Sequence, residues 1–334
     1  MKKLAVLILI FLVLGLLAAL LVYRSWTSPI SKDGDVKELI ISEDMSYDSL
    51  DSLLRQDYVS SQWPYTSAAK AMRFEQSSVK PGRYLIDPSL SPMELIRKLR
   101  SGRQDPVILT INSVRTIADL SAQVSEQVQM DSAEWHDYVL TAAPTLDPAM
   151  TAETVMSVFL PNSYEVYWTI TPEALMTKLS AAHKRYWSDA TRVQRLEDLN
   201  LSATEVYTLA SIVQKETAMV DEQPRVAGVY LNRLERGMAL QADPTVIFGV
   251  GDFTIRRVLN KHLAFDSPYN TYIYPGLPPG PICMPDMSCI EAVLHAEDHK
   301  YIYFCARPDW SGYHNFAITL RQHNVNAAAY RNSL

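Results

Sequence analysis

The sequence predicts an α+β protein behind one N-terminal transmembrane helix, with a small α+β subdomain followed by a larger α+β domain. Three observations lead there. Residues 4–22 are an unbroken apolar run, residues 36–108 alternate short strand-like and helix-like stretches, and from about residue 116 helical patterns dominate until an aromatic hairpin near the end. With 334 residues and 48% hydrophobic content, there is enough material for two folded units after the first segment. Charged residues make up 20%, the formal net charge is −6, and no Lys/Arg-rich run occurs, so nucleic acid is not an expected partner.

The apolar run from Leu4 to Val22 follows Lys2 and Lys3 and ends at Tyr23, Arg24 and Trp26. A helix of that length spans the hydrocarbon core of a bilayer, and Tyr23 and Trp26 suit its interface. A cleaved signal peptide would have a shorter apolar region followed by a small-x-small site; here Ala18 and Ala19 lie inside the run with Leu-Leu-Val after them. The expectation is an uncleaved anchor in the inner (cytoplasmic) membrane through residues 4–22. Residues 1–3 would be cytoplasmic and the rest periplasmic, although Arg24 and Lys32 on the far side oppose the charge bias.

Residues 23–35, which include Thr-Ser-Pro-Ile-Ser-Lys-Asp-Gly-Asp, read as a polar linker. Glu38 to Ile41 reads as a strand, Tyr47 to Leu54 as a helix with Leu50, Leu53 and Leu54 on one face, and Lys80 to Ile86 as a turn entering a strand. The next helix has Ser91 as N-cap, Pro92 at its first position, Glu94 completing a capping box, an apolar stripe of Leu95, Ile96 and Leu99, and Gly102 past its end. Val107 to Ile111 and Tyr164 to Trp168 read as strands, and Pro172 to Trp187 as an amphipathic helix.

Cys283, Cys289 and Cys305 are odd in number and lack a framework spacing. One pair could bridge in an oxidising compartment, but the expectation is small buried apolar residues. His295 and His299 have helical i, i+4 spacing but no third ligand, so no metal site is expected, and no cofactor.

The chemistry concentrates between Ser202 and Phe316. Ser202 and Glu205 form a capping box opening a helix expected to run to about Met219. At about 100° per residue, Val206, Leu209, Ala210, Ile212, Val213, Thr217 and Val220 share an arc, with Thr208, Ser211, Gln214 and Lys215 opposite. Glu216 falls inside the apolar arc. Burial there would raise its pKa and keep a proton available to a general acid. The competing reading is a structural ion pair with Arg233, which shares the inner face of the next helix with Val226, Val229 and Tyr230; that helix starts at Pro224 and ends at Gly237. The pattern by itself favours the ion pair. Further along, Asp243 reads as an N-cap with Pro244 at the first position. Ser267 to Tyr272 and Gly276 to Pro281 read as stiff loops suited to lining a cleft. Tyr301–Phe304 and Tyr313–Phe316 read as a hairpin through Gly312. Aromatic, amide and carboxylate groups together suit a carbohydrate cleft.

Ala210-Ser211-Ile212-Val213-Gln214-Lys215-Glu216-Thr217-Ala218 resembles the A-S-I-[IV]-E-K-E-[TS] motif of the endolytic murein transglycosylases, the YceG-like family. The resemblance continues, in the family's order over roughly the last 130 residues. Its further blocks are Val226–Leu234, Met238–Val246, Pro268–Tyr272, Gly276–Ile282, Tyr301–Phe304 and His314-Asn315-Phe316. It implies an N-terminal anchor, a LysM-like subdomain over residues 36–108 and a catalytic domain over 109–334. Glu216 then takes the catalytic position. Asn232, Gln241, Asp243, Tyr269, Asn270, Thr271 and His314 become candidate substrate-binding residues, with Arg233 buttressing the site. The implied substrate is the peptidoglycan glycan strand, cut between MurNAc and GlcNAc to leave a 1,6-anhydro-MurNAc end. The implied role is termination of nascent strands beside peptidoglycan synthases. The chain departs from the family at Gln214, which replaces the first Glu of the motif, at Leu160-Pro161-Asn162-Ser163-Tyr164 in place of F-P-D-T-Y, and at Asn112-Ser113 in place of P-E-G. Glu216 is then the only carboxylate in its motif. Hydrolytic glycosidases usually need two, whereas a lytic enzyme manages with one. A water-using muramidase and a non-catalytic wall-binding or division scaffold are the alternatives.

Overall fold

The computed structural model describes residues 2–31, 34–146 and 150–333. Met1, Lys32 and Asp33 of the expected N-terminus and linker lie outside the described residues. The chain divides into two compact units. The first is Met1–Ile108 with Gln127–Gln129 and Glu165–Ile170, and the second is Leu109–Glu126, Met130–Tyr164 and Thr171–Leu334.

The first unit opens with α1 (Lys2–Thr27), a helix of 26 residues that is long and apolar enough to cross a membrane. It runs five residues past Val22, so the expected linker starts later than residue 23. Nothing between Tyr23 and Thr27 breaks a helix, and the hydroxyls of Ser25, Thr27 and Ser28 bond back to carbonyls three or four residues earlier. Trp26 leaves the apolar run and donates Nε1 to Ser67 Oγ at 2.8 Å. The side chains from Leu4 to Leu21 are exposed along the helix.

Strands β1 (Lys37–Ile41) and β2 (Gly82–Ile86) pair antiparallel with Leu39 opposite Tyr84. On β1, Leu39 and Ile41 are buried while Glu38 and Ile40 face outward, the period-two pattern of a half-buried strand. Between them lie α2 (Tyr47–Leu53), a π turn over Leu54–Tyr58, and α3 (Gln62–Ala71). Helix α4 (Pro92–Ser101) carries both reciprocal bonds of the capping box, Ser91 with Glu94, and ends at Gly102 with φ 67°. Leu95, Ile96 and Leu99 join Leu50, Leu54, Tyr65 and Tyr84 in one core. Strand β3 (Val107–Ile111) follows.

In the second unit, α5 (Ile117–Ser125) and α6 (Ser132–Leu146) precede β4 (Asn162–Val166), the partner of β3; Leu109–Ile111 of β3 and Asn162–Tyr164 of β4 belong to this unit. This last strand starts two residues before the expected Tyr164 and stops before the turn at Tyr167–Ile170. Helices α7 (Pro172–Trp187) and α8 (Ala190–Leu199) lead into α9 (Ala203–Glu216), which is the centre of the unit. The capping box of Ser202 and Glu205 is present. The first half of the expected polar face of α9 is itself buried, with Thr208 at 2% exposure and Ser211 at 0%, while Gln214 is half-buried and Lys215 exposed. Ser211 accepts from the Ile282 N–H at 3.0 Å, because the segment before α13 (Met287–Leu294) packs over that face. Helix α10 (Gln223–Glu235) packs against α9 and α13. It is followed by α11 (Asp243–Val250) and the short α12 (Asn260–Leu263).

A Cβ at Gly228 on α10 would lie 2.5 Å from the Glu297 carbonyl and 2.8 Å from His299 Nε2, so only glycine admits that segment. Strands β5 (Tyr303–Ala306) and β6 (His314–Ala317) pair antiparallel with Phe304 opposite Phe316, one or two residues later than expected from sequence, and α14 (Leu320–Arg331) packs on them.

Candidate active site

Helix α9 does not continue to Met219; Glu216 is its last residue. Thr217 turns extended (φ −140°, ψ 136°), and its hydroxyl accepts from the Met219 N–H at 3.1 Å and donates to Glu222 Oε2 at 3.2 Å. This local bonding competes with the helix, as Thr side chains do. Val220, expected in the apolar arc, is therefore off the helix and 62% exposed.

Glu216 keeps a small opening to a cavity of about 380 Å³ and is otherwise enclosed by protein. Tyr230 Oη donates to Glu216 Oε1 at 2.7 Å, leaving Oε2 to carry a proton. Burial pushes the Glu216 carboxyl up to about 7; the Tyr230 bond opposes this, the charge of Asp243 adds to it, and Arg233 opposes it. Its place at a helix C-terminus, where the dipole disfavours a carboxylate, acts in the same direction as burial.

The structural ion pair does not form. Among the described residues no salt bridge joins Glu216 to Arg233. Arg233 Nε donates to the Ile302 carbonyl at 2.7 Å and Nη1 to the carbonyls of Ala239 and Leu240 at 3.0 and 2.8 Å. A longer contact reaches Gln241 Oε1 at 3.3 Å, and the guanidinium lies over the Tyr303 ring. Arg233 thus ties α10 to both the turn before α11 and the strand β5, and lines the cavity from there.

Gln241, Asp243 and His314 also line that cavity. Gln241 is held at φ 52°, a left-handed conformation that costs a non-glycine residue of order 1 kcal/mol or more. Asp243 is the first residue of α11 rather than its N-cap; Ala242 caps the helix and Pro244 comes second. The Asp243 carboxylate instead accepts from Tyr272 Oη at 2.6 Å, and the helix N-terminus favours its charge. His314 Nδ1 lies 2.7 Å from Glu222 Oε2, and its backbone N–H donates to Glu222 Oε1 at 2.8 Å. Glu222 is 2% exposed, so its carboxylate is committed to holding His314 and Thr217.

Four candidates from the sequence do not line the cavity. Asn232 Nδ2 donates to the carbonyls of His299 and Tyr301 at 2.8 and 2.9 Å. Asn270 Nδ2 donates to those of Leu263 and Phe265, while its Oδ1 accepts from the Tyr272 N–H. Thr271 is 1% exposed and bonds to Thr245 and the Ala242 N–H. Tyr269 packs on Phe248 with ring centroids 4.7 Å apart. These polar groups satisfy loop backbone, as buried carbonyls require. Asn270 still serves the site by fixing the backbone of Tyr272.

Tyr230, Tyr272 and Glu222 were not singled out as site residues in the sequence. A tyrosine on an apolar helix face reads as core, and the hydroxyl at its tip gives no periodic signal. Of the cysteines, Cys283 and Cys289 are buried and free, whereas Cys305 is half-buried and lines the cavity. His295 follows the end of α13 and His299 Nε2 bonds to the Arg225 carbonyl at 2.9 Å, so the helical spacing assumed for a metal pair is not realised.

Fold and site together define an α+β protein organised around one enclosed acid in a tyrosine-lined cavity. The chain belongs to the YceG-like family, whose profile matches residues 39–329. It is 41% identical over 133 residues to an endolytic murein transglycosylase of Bacillus subtilis, covering 40% of this chain and 36% of that protein. It is 28% identical over 288 residues to one of Streptococcus pneumoniae serotype 2, covering 77% of this chain and 52% of that protein. The chain thus spans about half or less of the length of these relatives. A YceG-like protein of known crystal structure from Listeria monocytogenes shares the fold, with a TM-score of 0.56 at 24% identity over 88% of this chain and 99% of that one.

Proposed function

We propose that the chain is an endolytic lytic transglycosylase of peptidoglycan. In this reading α1 anchors it in the cytoplasmic membrane through residues 4–22, and residues 109–334 act outside. The observation that carries the reading is the Glu216 carboxyl, raised to about 7 within a cavity and bonded by Tyr230 on one oxygen only. A proton on Oε2 is then available near neutral pH. Glu216 donates it to the oxygen between MurNAc C1 and GlcNAc C4, and the C1–O bond breaks. The C6 hydroxyl of the same MurNAc attacks C1 and returns its proton to Glu216. The products are a 1,6-anhydro-MurNAc end and a GlcNAc with a free 4-hydroxyl, with no water consumed. Asp243, a carboxylate lining the same cavity, opposes the positive charge that develops at C1. The names of the relatives, endolytic murein transglycosylase, support the same reaction. Cutting within nascent strands beside synthases would terminate their growth.

The β1–α2–α3–β2 order of residues 37–86 supports the LysM-like reading of that subdomain, which would bind glycan.

A second reading has a specific observation behind it. Asp243 gives the cavity a second carboxylate, as a water-using muramidase needs. The product separates the two. Full-length protein in detergent, digesting purified glycan strands, should yield anhydro ends by mass spectrometry, and Glu216→Gln should lower their rate by roughly 100- to 10,000-fold. Reducing ends one water heavier would support the muramidase instead.

A further inference from the structure

We infer that a second cavity, on the other side of the last turn of α9, is a subsite for a carboxylate of the peptide stem borne by MurNAc. This rests on the glycan-cleaving reading above and names what that site recognises beyond sugar.

The cavity has a volume of about 190 Å³ and is lined by Arg115, Lys215, Pro244, Phe248 and Phe253, among others. Two of its walls are the immediate chain neighbours of the reactive groups. Lys215 precedes Glu216 on α9 and Pro244 follows Asp243 on α11. Consecutive helical residues project about 100° apart. The same two turns therefore present carboxyls to one cavity and a cation with an apolar ring to the next.

The charges there are uncommitted. Among the described residues, neither Arg115 nor Lys215 makes an ion pair or a side-chain hydrogen bond; Arg115 rests with Cζ 4.3 Å from the centroid of the Phe253 ring. Phe253 in turn packs on Phe248, with centroids 6.2 Å apart. Arg256, Arg257 and Lys261 follow in the next segment without acidic partners among the described residues. The two charged side chains that line the cavity, Arg115 and Lys215, are both cationic, which favours an anion there.

In a stem-bearing strand the lactyl carboxyl of MurNAc is tied up in the amide to the stem, so the glycan itself carries no charge. The anionic groups of the polymer are carboxylates of the stem peptide, which hangs from C3 of the MurNAc whose C1 is cut. Two cations beside an aromatic floor match a short peptide of alanine methyls and carboxylates. A guanidinium whose carbon rests over a ring, with no hydrogen-bond partner of its own among the described residues, has its N–H groups available to such a group.

The test compares stem-bearing glycan strands with strands stripped by an amidase and then coupled through carbodiimide to methylamine, so that the lactyl carboxylate the amidase exposes is neutral, using full-length protein in detergent. Wild type should show a kcat/KM at least about tenfold higher on stem-bearing strands, the worth of one hydrogen bond to a charged group. Arg115→Gln with Lys215→Gln should bring that ratio close to unity, and the charge-keeping Arg115→Lys with Lys215→Arg should preserve it. A ratio near unity in wild type, or an unchanged ratio in the Gln variant, overturns the subsite while leaving anhydro-end formation standing. Absence of anhydro ends from both substrates overturns the subsite together with the reading beneath it.

Discussion

Gln214 and Asp286 face each other as reciprocal partners: Gln214 Nε2 donates to Asp286 Oδ2 at 3.0 Å, and the Asp286 N–H donates to Gln214 Oε1 at 3.2 Å. Ser113 donates its hydroxyl to the other oxygen of Asp286. Positions 113 and 214, both read from the sequence as departures from the motifs it resembles, therefore meet on one carboxylate. A Glu at 214 would set two carboxylates against each other. Gln214→Glu should destabilise the fold by about 1–2 kcal/mol in denaturant unfolding, the cost of replacing a hydrogen bond with an unpaired acceptor. Adding Asp286→Asn should recover most of it, and the double-mutant cycle should show coupling above about 0.5 kcal/mol.

Tyr230 stabilises the charged form of Glu216, so removing its hydroxyl raises the carboxyl further above about 7. For a general acid, activity falls as pH rises through that value. Tyr230→Phe should therefore move the alkaline limb of kcat/KM to higher pH, and a limb that moves down would contradict the assigned hydrogen bond.

Asp243 acts in the opposite sense, because its charge helps keep the Glu216 proton on. Asp243→Asn should move the same limb to lower pH. A pH–rate series on this variant and on Tyr230→Phe gives two shifts of opposite sign from neighbours on the same cavity.

Glu216 also couples pH to stability. Its carboxyl is raised in the folded state from 4.5 to about 7, so the folded chain binds the proton more tightly than the unfolded one. The associated penalty is absent below about pH 4.5, grows as pH rises to about 7, and is constant above. Glu216→Gln removes it. The variant should gain up to about 3 kcal/mol over wild type at pH 8 relative to pH 4, less with solvent screening. Urea titrations at the two pH values measure the difference.

Arg233 satisfies three backbone carbonyls with a planar fork that an ammonium cannot reproduce. Arg233→Lys should destabilise the chain by about 2–3 kcal/mol. A loss of activity without loss of stability would instead place the guanidinium on substrate.

The parts of the fold that sequence made legible are those decided by neighbours in the chain. The capping boxes at Ser91 and Ser202 are both present, since an N-cap and its third residue need only local geometry. Glu216 stood out because a charge interrupted an apolar arc. Much of what was misread depends on contacts distant in sequence. Asn232 and Thr271 looked like ligand-binding residues, yet the His299 carbonyl and the Ala242 N–H, far away in the chain, claim them, and the nearby loop carbonyls of Leu263 and Phe265 claim Asn270. The burial of Thr208 and Ser211 on the second face of α9 was illegible for the same reason, whereas the end of that helix at Glu216 turns on a local bond, Thr217 to Glu222, that periodicity does not register.

Gly228 does not line the cavity, yet it sets how near the segment 297–302 can lie to α10. Asn232 and Arg233, one turn on, grip carbonyls 299, 301 and 302 of that segment, which runs directly into the strand paired with the one carrying His314. A methyl group at 228 would act as a wedge whose displacement reaches the cavity wall. In an unbiased screen for inactive variants, position 228 should therefore score beside Glu216, the first as a spacer and the second as a reagent.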